Sequence, residues 1–418
     1  MSGPPRNPNL KSPAVVALSV PDSGSASASE SQGTRVVNAS SSSSAAPVVA
    51  NGNDNENDTG NGVAAQPKPR ARLGPTEVVI LPSSDTEDEA DADVPEGQGD
   101  EEGQGKEEDF LKDYPDETED LQLQHLRLKS SSLPLLRFPR FGAHLKRLCL
   151  RQNELTSPLP PDALEGLGQL EELDCYDNRL GPRVRDEELR GCGNVTSLDL
   201  SFNNIRHPPN LPSLGRVAVL YLVQNKIARI EQGELDWCAE TITSLELGGN
   251  RIRVIENLEK LTLLEELWLG KNKIRALENL STFSSLKILS LQSNRITKLE
   301  NLEDLVNLEE LYLSHNGLKK IEGLDKNAKL RTLDVGNNEI EVIEGIAHLS
   351  ELEEFWASGN KIASLRALDT QLAHLQNLET VYLEGNPCQT NDMAGYRRKV
   401  MLALPQVKQI DATYVKLS

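Results

Sequence analysis

One short pattern recurs through the C-terminal two thirds of the chain and constrains its fold more than any other feature. The pattern reads L-x-x-L-x-L-x-x-N-x-I/L, and one asparagine marks each copy. The spacings between consecutive asparagines are 25, 25, 22, 25, 22, 22, 22, 22, 22 and 26 residues. A degenerate copy at 121–128, LQLQHLRL, precedes them without the asparagine and is expected to cap the N-terminal end. The eleven clear copies carry Asn153, Asn178, Asn203, Asn225, Asn250, Asn272, Asn294, Asn316, Asn338, Asn360 and Asn386.

Repeats of this length and pattern predict a leucine-rich-repeat solenoid. In the copy LEELWLGKN, Leu267 and Leu269 flank Trp268, so the two leucines face the core and the tryptophan faces outward. The asparagine amide is expected to bond backbone groups that a tight turn leaves unpaired. Twenty-two residues leave little room for a long helix on the far side. We therefore predict an α/β repeat solenoid with a parallel concave sheet and a convex side of 3₁₀ turns or short helices.

Composition divides the chain into three parts. Residues 1–118 contain low-complexity stretches such as SGSASASE and NGNDNENDTGNG, which bury too little apolar surface to fold. We predict a disordered acidic tail there, the solenoid over 119–386 and a C-terminal cap over 387–418. In the cap, an amphipathic helix and a final strand are expected from Tyr396, Val400, Leu402, Leu404 and Ile410.

Charge and cysteine content exclude several classes of protein. Residues 1–120 hold 24 acidic and 8 basic residues, whereas 121–418 hold 40 and 36, which together make the net charge of −20. A balance this acidic argues against a nucleic-acid binder. Five scattered cysteines without a CxxC pair fit a reducing compartment. We find neither a secretory signal nor an apolar run of about 18 residues, so a nuclear and cytoplasmic protein without a membrane span is expected.

The sequence contains no catalytic constellation. GKNK at 270–273 lacks the spaced glycines and the hydroxyl residue of a phosphate-binding loop. The six histidines do not cluster by spacing, and neither GxSxG nor HExxH occurs. We therefore expect a protein that is not an enzyme and that holds no cofactor and no metal.

The most informative residues are those at the outward position of each predicted strand, which together form one column across the copies. It reads Cys149, Asp174, Asp199, Tyr221, Glu246, Trp268, Ser290, Tyr312, Asp334, Trp356 and Tyr382. Five of these eleven residues are aromatic, although the whole chain has only 16 aromatics. Such rings could simply stabilise a sheet surface through cross-strand contacts. Val, Ile or Thr would serve that purpose in every copy, so we favour a protein-binding surface whose acidic surroundings call for a partner with Lys or Arg.

A short motif stands out in the predicted tail. Val78, Val79, Ile80 and Leu81 are followed by SSDTEDE. This combination resembles a SUMO-interacting motif, in which a short apolar run adds a strand to a sheet edge. Four aliphatic residues beside acids also arise by chance, so both interpretations remain open.

Several longer stretches resemble the leucine-rich-repeat regulatory subunit of protein phosphatase 1. They are LELGGNRIRVIENLEKL, LEELWLGKNKI, LSLQSNRITKLENLEDLVNLEELYLSHNGL, and LETVYLEGNP followed by YRRKVMLALPQVKQIDATYV. The resemblance covers roughly 121–418 and is strongest from 217 onward. It implies a non-catalytic, monomeric solenoid that binds the phosphatase catalytic subunit through its concave face. Control of phosphatase activity, maturation or nuclear supply, a part in mitotic dephosphorylation and a second inhibitory subunit are further implications.

The resemblance also implies which residues meet the phosphatase. By matching motif they are Asp199, Tyr221, Glu246, Trp268, Asp334, Glu354, Trp356 and Tyr382, and the outward column adds Tyr312. The chain departs from the family in its long acidic tail and in the insertions HPPNLP at 207–212 and GELDWCAE at 233–240. An alternative remains: an acidic leucine-rich-repeat adaptor or chaperone for basic proteins such as histones. Residues 85–120 hold 18 acids against 2 bases, which favours it.

Overall fold

The computed structural model describes residues 110–415. Within this range the chain builds a 14-stranded sheet whose strands follow one another in chain order. Neighbouring strands are parallel, except that the last two form an antiparallel pair. Val78–Leu81 and most of the predicted tail lie outside the described residues.

The strands are short, mostly of three residues each. They are β1 (Asp120–Gln122), β2 (Arg147–Cys149), β3 (Glu172–Asp174), β4 (Ser197–Asp199), β5 (Val219–Tyr221), β6 (Ser244–Glu246), β7 (Glu266–Trp268), β8 (Ile288–Ser290), β9 (Glu310–Tyr312), β10 (Thr332–Asp334), β11 (Glu354–Trp356), β12 (Thr380–Tyr382), β13 (Gln409–Ile410) and β14 (Thr413–Tyr414). The helices are α1 (Asp186–Leu189), α2 (Leu368–Gln371), α3 (Pro387–Thr390) and α4 (Tyr396–Ala403). The 3₁₀ helices are Ser130–Leu136, Phe138–Phe141, Arg190–Cys192, Pro212–Leu214 and Asp236–Cys238.

The leucines of the pattern stack in register as predicted. Leu267 lies opposite Leu245 on one side and Leu289 on the other, and all three are fully buried. The same column continues along the sheet, so each coil buries its apolar side chains against the next coil. A buried leucine side chain contributes about 2 kcal/mol relative to exposure. The repeat therefore produces one continuous core within the described residues.

The asparagine side chains form the predicted hydrogen bonds with backbone groups. The Asn272 Nδ2 donates to the carbonyl oxygens of Leu247 and Leu269, both at 3.0 Å. Its Oδ1 accepts the N–H of Ile252 at 2.9 Å. Because Leu247 and Ile252 belong to the preceding coil, each amide joins two coils as well as closing its own turn. The residue before it, Lys271, is left-handed with φ 53°, which brings the amide inward.

The far side of the solenoid differs between long and short copies. Each 3₁₀ helix of the described residues begins before residue 240, in the part that carries most of the 25-residue copies. In the 22-residue copies that follow, the chain crosses this side in turns, whereas the earlier 22-residue copy between Asn203 and Asn225 still contains the 3₁₀ helix Pro212–Leu214. Asn279, with φ 58°, makes one such turn, and its Nδ2 donates to the Ile255 carbonyl at 2.7 Å. Gly345 holds the equivalent place with φ 71°, where a Cβ would lie 2.6 Å from the Ile321 oxygen.

Both ends of the solenoid differ in detail from the prediction. Ordered structure begins before the predicted boundary at 119, since Leu111 is buried in the N-terminal coil. At the other end, α4 buries Tyr396 and Val400, but Leu402 is 72% exposed. The expectation that Leu402 packs in the cap is wrong, because a residue two places after Val400 points away from the buried face of a helix. Within residues 110–415 no helix has the length and apolar character that crossing a bilayer requires.

Candidate functional site

The outward face of the sheet carries all the predicted partner-binding residues. We call this surface the sheet face. Successive residues of the outward column lie directly opposite one another, as in Tyr221 against Glu246 and Glu246 against Trp268. The strand β11 begins at Glu354 and ends at Trp356, so these two alternate residues lie on the same face. The fold therefore collects on one surface Asp199, Tyr221, Glu246, Trp268, Tyr312, Asp334, Glu354, Trp356 and Tyr382.

Four of these side chains form a continuous aromatic row. We define the row as Trp268, Tyr312, Trp356 and Tyr382. The ring centroids lie 6.3, 6.2 and 5.9 Å apart in that order, with interplanar angles of 20°, 55° and 71°. Distances of this size belong to rings in favourable contact. Tyr221 lies on the same face but is separated from the row by Glu246.

The rings of the row shield one another from water. Trp268, Trp356 and Tyr382 are half-buried, whereas Tyr312 is only 6% exposed. Tyr312 therefore lies on the outward face of the sheet but is covered by the rings of Trp268 and Trp356. A row that is already packed loses less side-chain freedom when a partner binds than isolated exposed rings would lose.

Hydrogen bonds orient the polar ends of the rings. The Trp268 Nε1 lies 3.4 Å from Glu266 Oε2, which also accepts the Ser244 hydroxyl at 3.0 Å. The Tyr312 hydroxyl donates to Glu310 Oε2 at 2.6 Å. The Trp356 Nε1 is covered and lies near Glu354, but it does not reach normal hydrogen-bond geometry there. Two of the four rings, Trp268 and Tyr312, are thus oriented by a carboxylate that lies two residues before the ring.

Burial raises the pKa of some of the carboxylates on the sheet face. Burial, followed by the charges of Asp199 and Glu266, raises the pKa of Glu246 to about 7. Burial likewise raises the pKa of Asp334, and burial together with Glu310 raises the pKa of Glu354. An approaching ammonium or guanidinium group favours the charged form of such carboxylates. The sheet face is therefore suited to a partner surface that bears Lys or Arg.

A second aromatic cluster lies near the N-terminal end of the sheet face, and sequence reasoning missed it. The Arg151 guanidinium lies 4.2 Å above the Tyr176 ring, which lies 4.8 Å from the Phe202 ring. Arg151 also pairs with Asp174 at 2.9 Å and Asp199 at 3.4 Å. The alternation of inward and outward residues concerns only positions inside the strands, and these rings lie just beyond the strand ends. The occurrence of aromatics in two consecutive copies, CYDN and LSFN, was the available signal.

One group of side chains has the composition of a metal site. Ligand atoms of His207, Glu231 and Glu234 lie within 4.8 Å of one another. However, Arg183 Nη1 lies 3.3 Å from Glu234 Oε1, and Arg229 Nη2 lies 2.7 Å from Glu231 Oε1. These guanidinium groups already neutralise the carboxylates. We interpret the group as an ion-pair network that holds the insertion around residue 234 in place. The fold assembles this network from distant parts of the sequence.

Comparison with known families supports the repeat. A family model described as Leucine Rich repeats (2 copies) matches residues 240–282, 284–326 and 306–349. A single Leucine Rich repeat model matches residues 191–206. An internalin (inlF) from Listeria monocytogenes superposes with a TM-score of 0.51 at 21% identity, covering 71% of this chain and 87% of that one. This likeness concerns the solenoid fold alone.

Curated relatives share local stretches at higher identity. Protein phosphatase 1 regulatory subunit SDS22 of Saccharomyces cerevisiae is 46% identical over 107 residues, which is 25% of this chain and 30% of that protein. Protein phosphatase 1 regulatory subunit 7 of Mus musculus is 63% identical over 46 residues, 11% of this chain and 12% of that protein. The matches therefore span less than a third of the length of these relatives.

Proposed function

We propose that this leucine-rich-repeat protein, homologous over part of its length to regulatory subunits of protein phosphatase 1, is a non-catalytic regulatory subunit of that phosphatase. The observation that carries the proposal is the 46% identity over 107 residues to a relative named as such a subunit. Repeat solenoids of this kind present long binding surfaces rather than catalytic pockets, which agrees with a regulatory role.

The sheet face is our candidate for the surface that contacts the catalytic subunit. The aromatic row offers large apolar area, and Trp and Tyr are enriched among the residues that carry most of the binding energy in interfaces. Glu246, Asp334 and Glu354 lie on the same face, and burial raises the pKa of each. A partner with basic residues opposite these carboxylates would gain charge pairs in partly desolvated surroundings. Apolar anchors and buried acids thus call for an apolar and basic partner surface.

The finer aspects of the role belong to the same proposal. We expect a monomeric solenoid, present in nucleus and cytoplasm, that controls the activity, maturation or nuclear supply of the catalytic subunit and acts in mitosis. A second inhibitory subunit in the complex is also expected. Size-exclusion chromatography with light scattering on the purified complex measures how many copies of the solenoid it contains and whether a second inhibitory subunit is present. A fluorescent fusion followed through the cell cycle reports the location.

Affinity capture of the phosphatase catalytic subunit tests the proposal. The full chain is compared with Trp356→Ala and Trp268→Ala, and each loss should weaken capture by about 2 kcal/mol, roughly thirtyfold. Phe110→Ala is the matched control, since this ring is 71% exposed and precedes β1, six strands before the strand β7 that carries the first ring of the row. Unchanged capture by both tryptophan variants would exclude the sheet face as the surface that contacts the catalytic subunit. Failure of the wild-type chain to capture the phosphatase would exclude the function itself.

The dependence of binding on salt concentration distinguishes the alternative function, an adaptor for basic proteins, from the phosphatase regulator. Binding driven by the acidic run at 85–120 is long-range and screened, so capture of histones should fall steeply between about 50 and 500 mM NaCl. Binding through a packed aromatic row should persist over the same range. Strong, salt-sensitive histone capture that is insensitive to Trp356→Ala would favour the adaptor.

A further inference from the structure

The turns that follow the central strands concentrate positive charge in an acidic protein. In five consecutive copies, the eight residues around the asparagine read VQNKIARI, GGNRIRVI, GKNKIRAL, QSNRITKL and SHNGLKKI, beginning at 223, 248, 270, 292 and 314. These forty positions hold eleven Lys or Arg and no Asp or Glu, although the chain as a whole has a net charge of −20. The next copy, GNNEIEVI from 336, already contains two glutamates, so the feature is confined to these five copies on that side.

The fold stacks these basic positions in register beyond the ends of the strands. The backbone N–H groups of Arg251, Lys273 and Arg295 each donate to an isoleucine carbonyl of the preceding coil at 2.8 Å. Ile252, which lies between Arg251 and Arg253, is fully buried, whereas both arginines are exposed. Successive coils lie about 4.8 Å apart, so basic residues that are distant in sequence form one continuous strip of positive charge.

Most of these basic side chains have no acidic partner. Arg229 pairs with Glu231 at 2.7 Å, and Lys298 pairs with Glu300 at 2.6 Å. The other nine are exposed or half-buried and form no ion pair with any residue between 110 and 415. We call these nine the basic ridge, which consists of Lys226, Arg251, Arg253, Lys271, Lys273, Arg275, Arg295, Lys319 and Lys320.

Acidic residues border the basic ridge on both sides. Before the turns lie the strands of the sheet face, with carboxylates such as Glu246 and Glu266. After the turns, each copy carries a glutamate six residues beyond its asparagine, namely Glu231, Glu256, Glu278, Glu300 and Glu322. A broad anionic surface, such as a lipid bilayer or a nucleic-acid duplex, would also meet these carboxylates, and like charges repel within about 8 Å in physiological salt. The charge pattern therefore favours a narrow anionic chain that follows the ridge.

The composition of the ridge favours a peptide over a single-stranded nucleic acid. Proteins that bind single strands combine basic residues with aromatic rings on which the bases stack. None of the forty positions around the five asparagines is Phe, Tyr or Trp. An acidic peptide needs only the cations. The five coils span about 19 Å, which is the length of about six residues of extended chain.

We propose that the basic ridge binds an extended acidic segment of another protein. Each exposed ion pair contributes little and is screened by salt, so binding depends on several pairs formed together along the ridge. The ridge lies beyond the ends of the strands, whereas the sheet face consists of residues inside them, so the two are separate surfaces. The inference goes beyond the phosphatase proposal and does not depend on it.

Fluorescence anisotropy of a labelled decaglutamate peptide, titrated with the full-length protein, tests the ridge. The wild type should bind the peptide at about 50 mM NaCl and release it at about 500 mM, because the pairs are exposed. The variant Arg251→Gln/Lys273→Gln/Arg295→Gln removes three charges from consecutive coils and should weaken binding about tenfold at the lower salt concentration. These substitutions lie at the surface, so circular dichroism should show an unchanged fold.

The matched control separates the ridge from a general charge effect. Arg216→Gln/Lys326→Gln/Arg366→Gln changes the net charge equally at exposed positions outside the ridge and should weaken binding less than about twofold. Equal losses in the two variants would overturn the proposal. Failure of the wild type to bind the peptide would also overturn it, including the case in which an acidic stretch of the same chain already fills the ridge.

Two further measurements exclude other occupants. A uridine decanucleotide should bind more weakly than the peptide, and equal binding that depends on the same three residues would overturn the assignment to a peptide. Light scattering should give the same mass for the wild type and the ridge variant. A wild-type dimer that becomes a monomer in the ridge variant would assign the ridge to a second molecule of this protein and would overturn the proposal.

Discussion

At the scale of single residues, the aromatic row depends on the small or short side chains between its members. Ser290 separates Trp268 from Tyr312, and Asp334 separates Tyr312 from Trp356. Strands two apart are about 10 Å from each other, so the rings must lean together to reach centroid distances near 6 Å. The leaning rings cover Ser290 and Asp334, which are 2% and 6% exposed. A larger side chain at either place would force the rings apart.

Glu246 makes stability depend on pH in a defined direction. Its folded-state pKa of about 7 lies above the ordinary 4.5, so the folded protein binds the proton more tightly than the unfolded chain does. The free energy of unfolding therefore falls as pH rises from about 4.5 to 7, and the penalty is complete above that window. Glu246→Gln should stabilise the protein by about 1–3 kcal/mol at pH 8 and leave it unchanged at pH 4.

Urea unfolding at pH 4, 6 and 8 measures this dependence. Glu259→Gln is the control, because Glu259 is exposed and its replacement should change the free energy of unfolding by less than about 0.5 kcal/mol at every pH. A stabilisation by Glu246→Gln that is the same at pH 4 and pH 8 would contradict the argument. The same substitution removes a charge from the sheet face, so weaker phosphatase capture is expected alongside the gain in stability.

At the scale of elements, ion pairs between coils run along the start of the strands. Lys287 pairs with Glu265 at 2.6 Å, and Arg331 pairs with Glu353 at 2.5 Å. Lys408 and Glu379 continue the pattern at the C-terminal end. Each pair is exposed and contributes little, but opposite charges in consecutive copies disfavour a slipped register. The strands themselves are held chiefly by the leucine and asparagine columns.

The helix α4 offers an element-scale test of the C-terminal cap. Val400 is fully buried and Leu402 is 72% exposed on the same helix. Val400→Ser should lower the free energy of unfolding by about 2–3 kcal/mol, because it removes buried apolar volume and buries a hydroxyl. Leu402→Ser, two residues away, should change it by less than about 0.5 kcal/mol. Denaturant unfolding followed by circular dichroism measures both, and equal losses would contradict the observed orientation of the helix.

At the scale of the whole solenoid, parallel stacking turns distant positions of the sequence into one surface. Asp199 and Tyr382 are 183 positions apart (382 minus 199), yet they belong to one outward column of one sheet. Each coil contacts chiefly its neighbours, so no single long-range contact is needed to build this face. A partner that covers several coils therefore contacts residues that are spread over nearly half of the chain.

The sequence by itself determined the repeat, the facing of each column and the membership of the sheet face. It could do so because the spacing of Leu267, Trp268 and Leu269 dictates inside and outside locally, and because copies of equal length must stack in register. The C-terminal helix was also predictable, although a list of apolar residues assigned Leu402 to its buried side. These inferences need only the periodicity of strands and helices.

Only the tertiary structure decided what lies beside each outward side chain. Tyr312 is covered because neighbouring rings lean over small residues. The pKa of Glu246 is raised because the side chain is largely buried and because Asp199 and Glu266 lie near it. Arg151 stacks on Tyr176 beyond the strands. Periodicity specifies the direction of a side chain, whereas its rotamer, burial and pKa depend on the side chains of adjacent coils. Those neighbours meet only when the chain has folded.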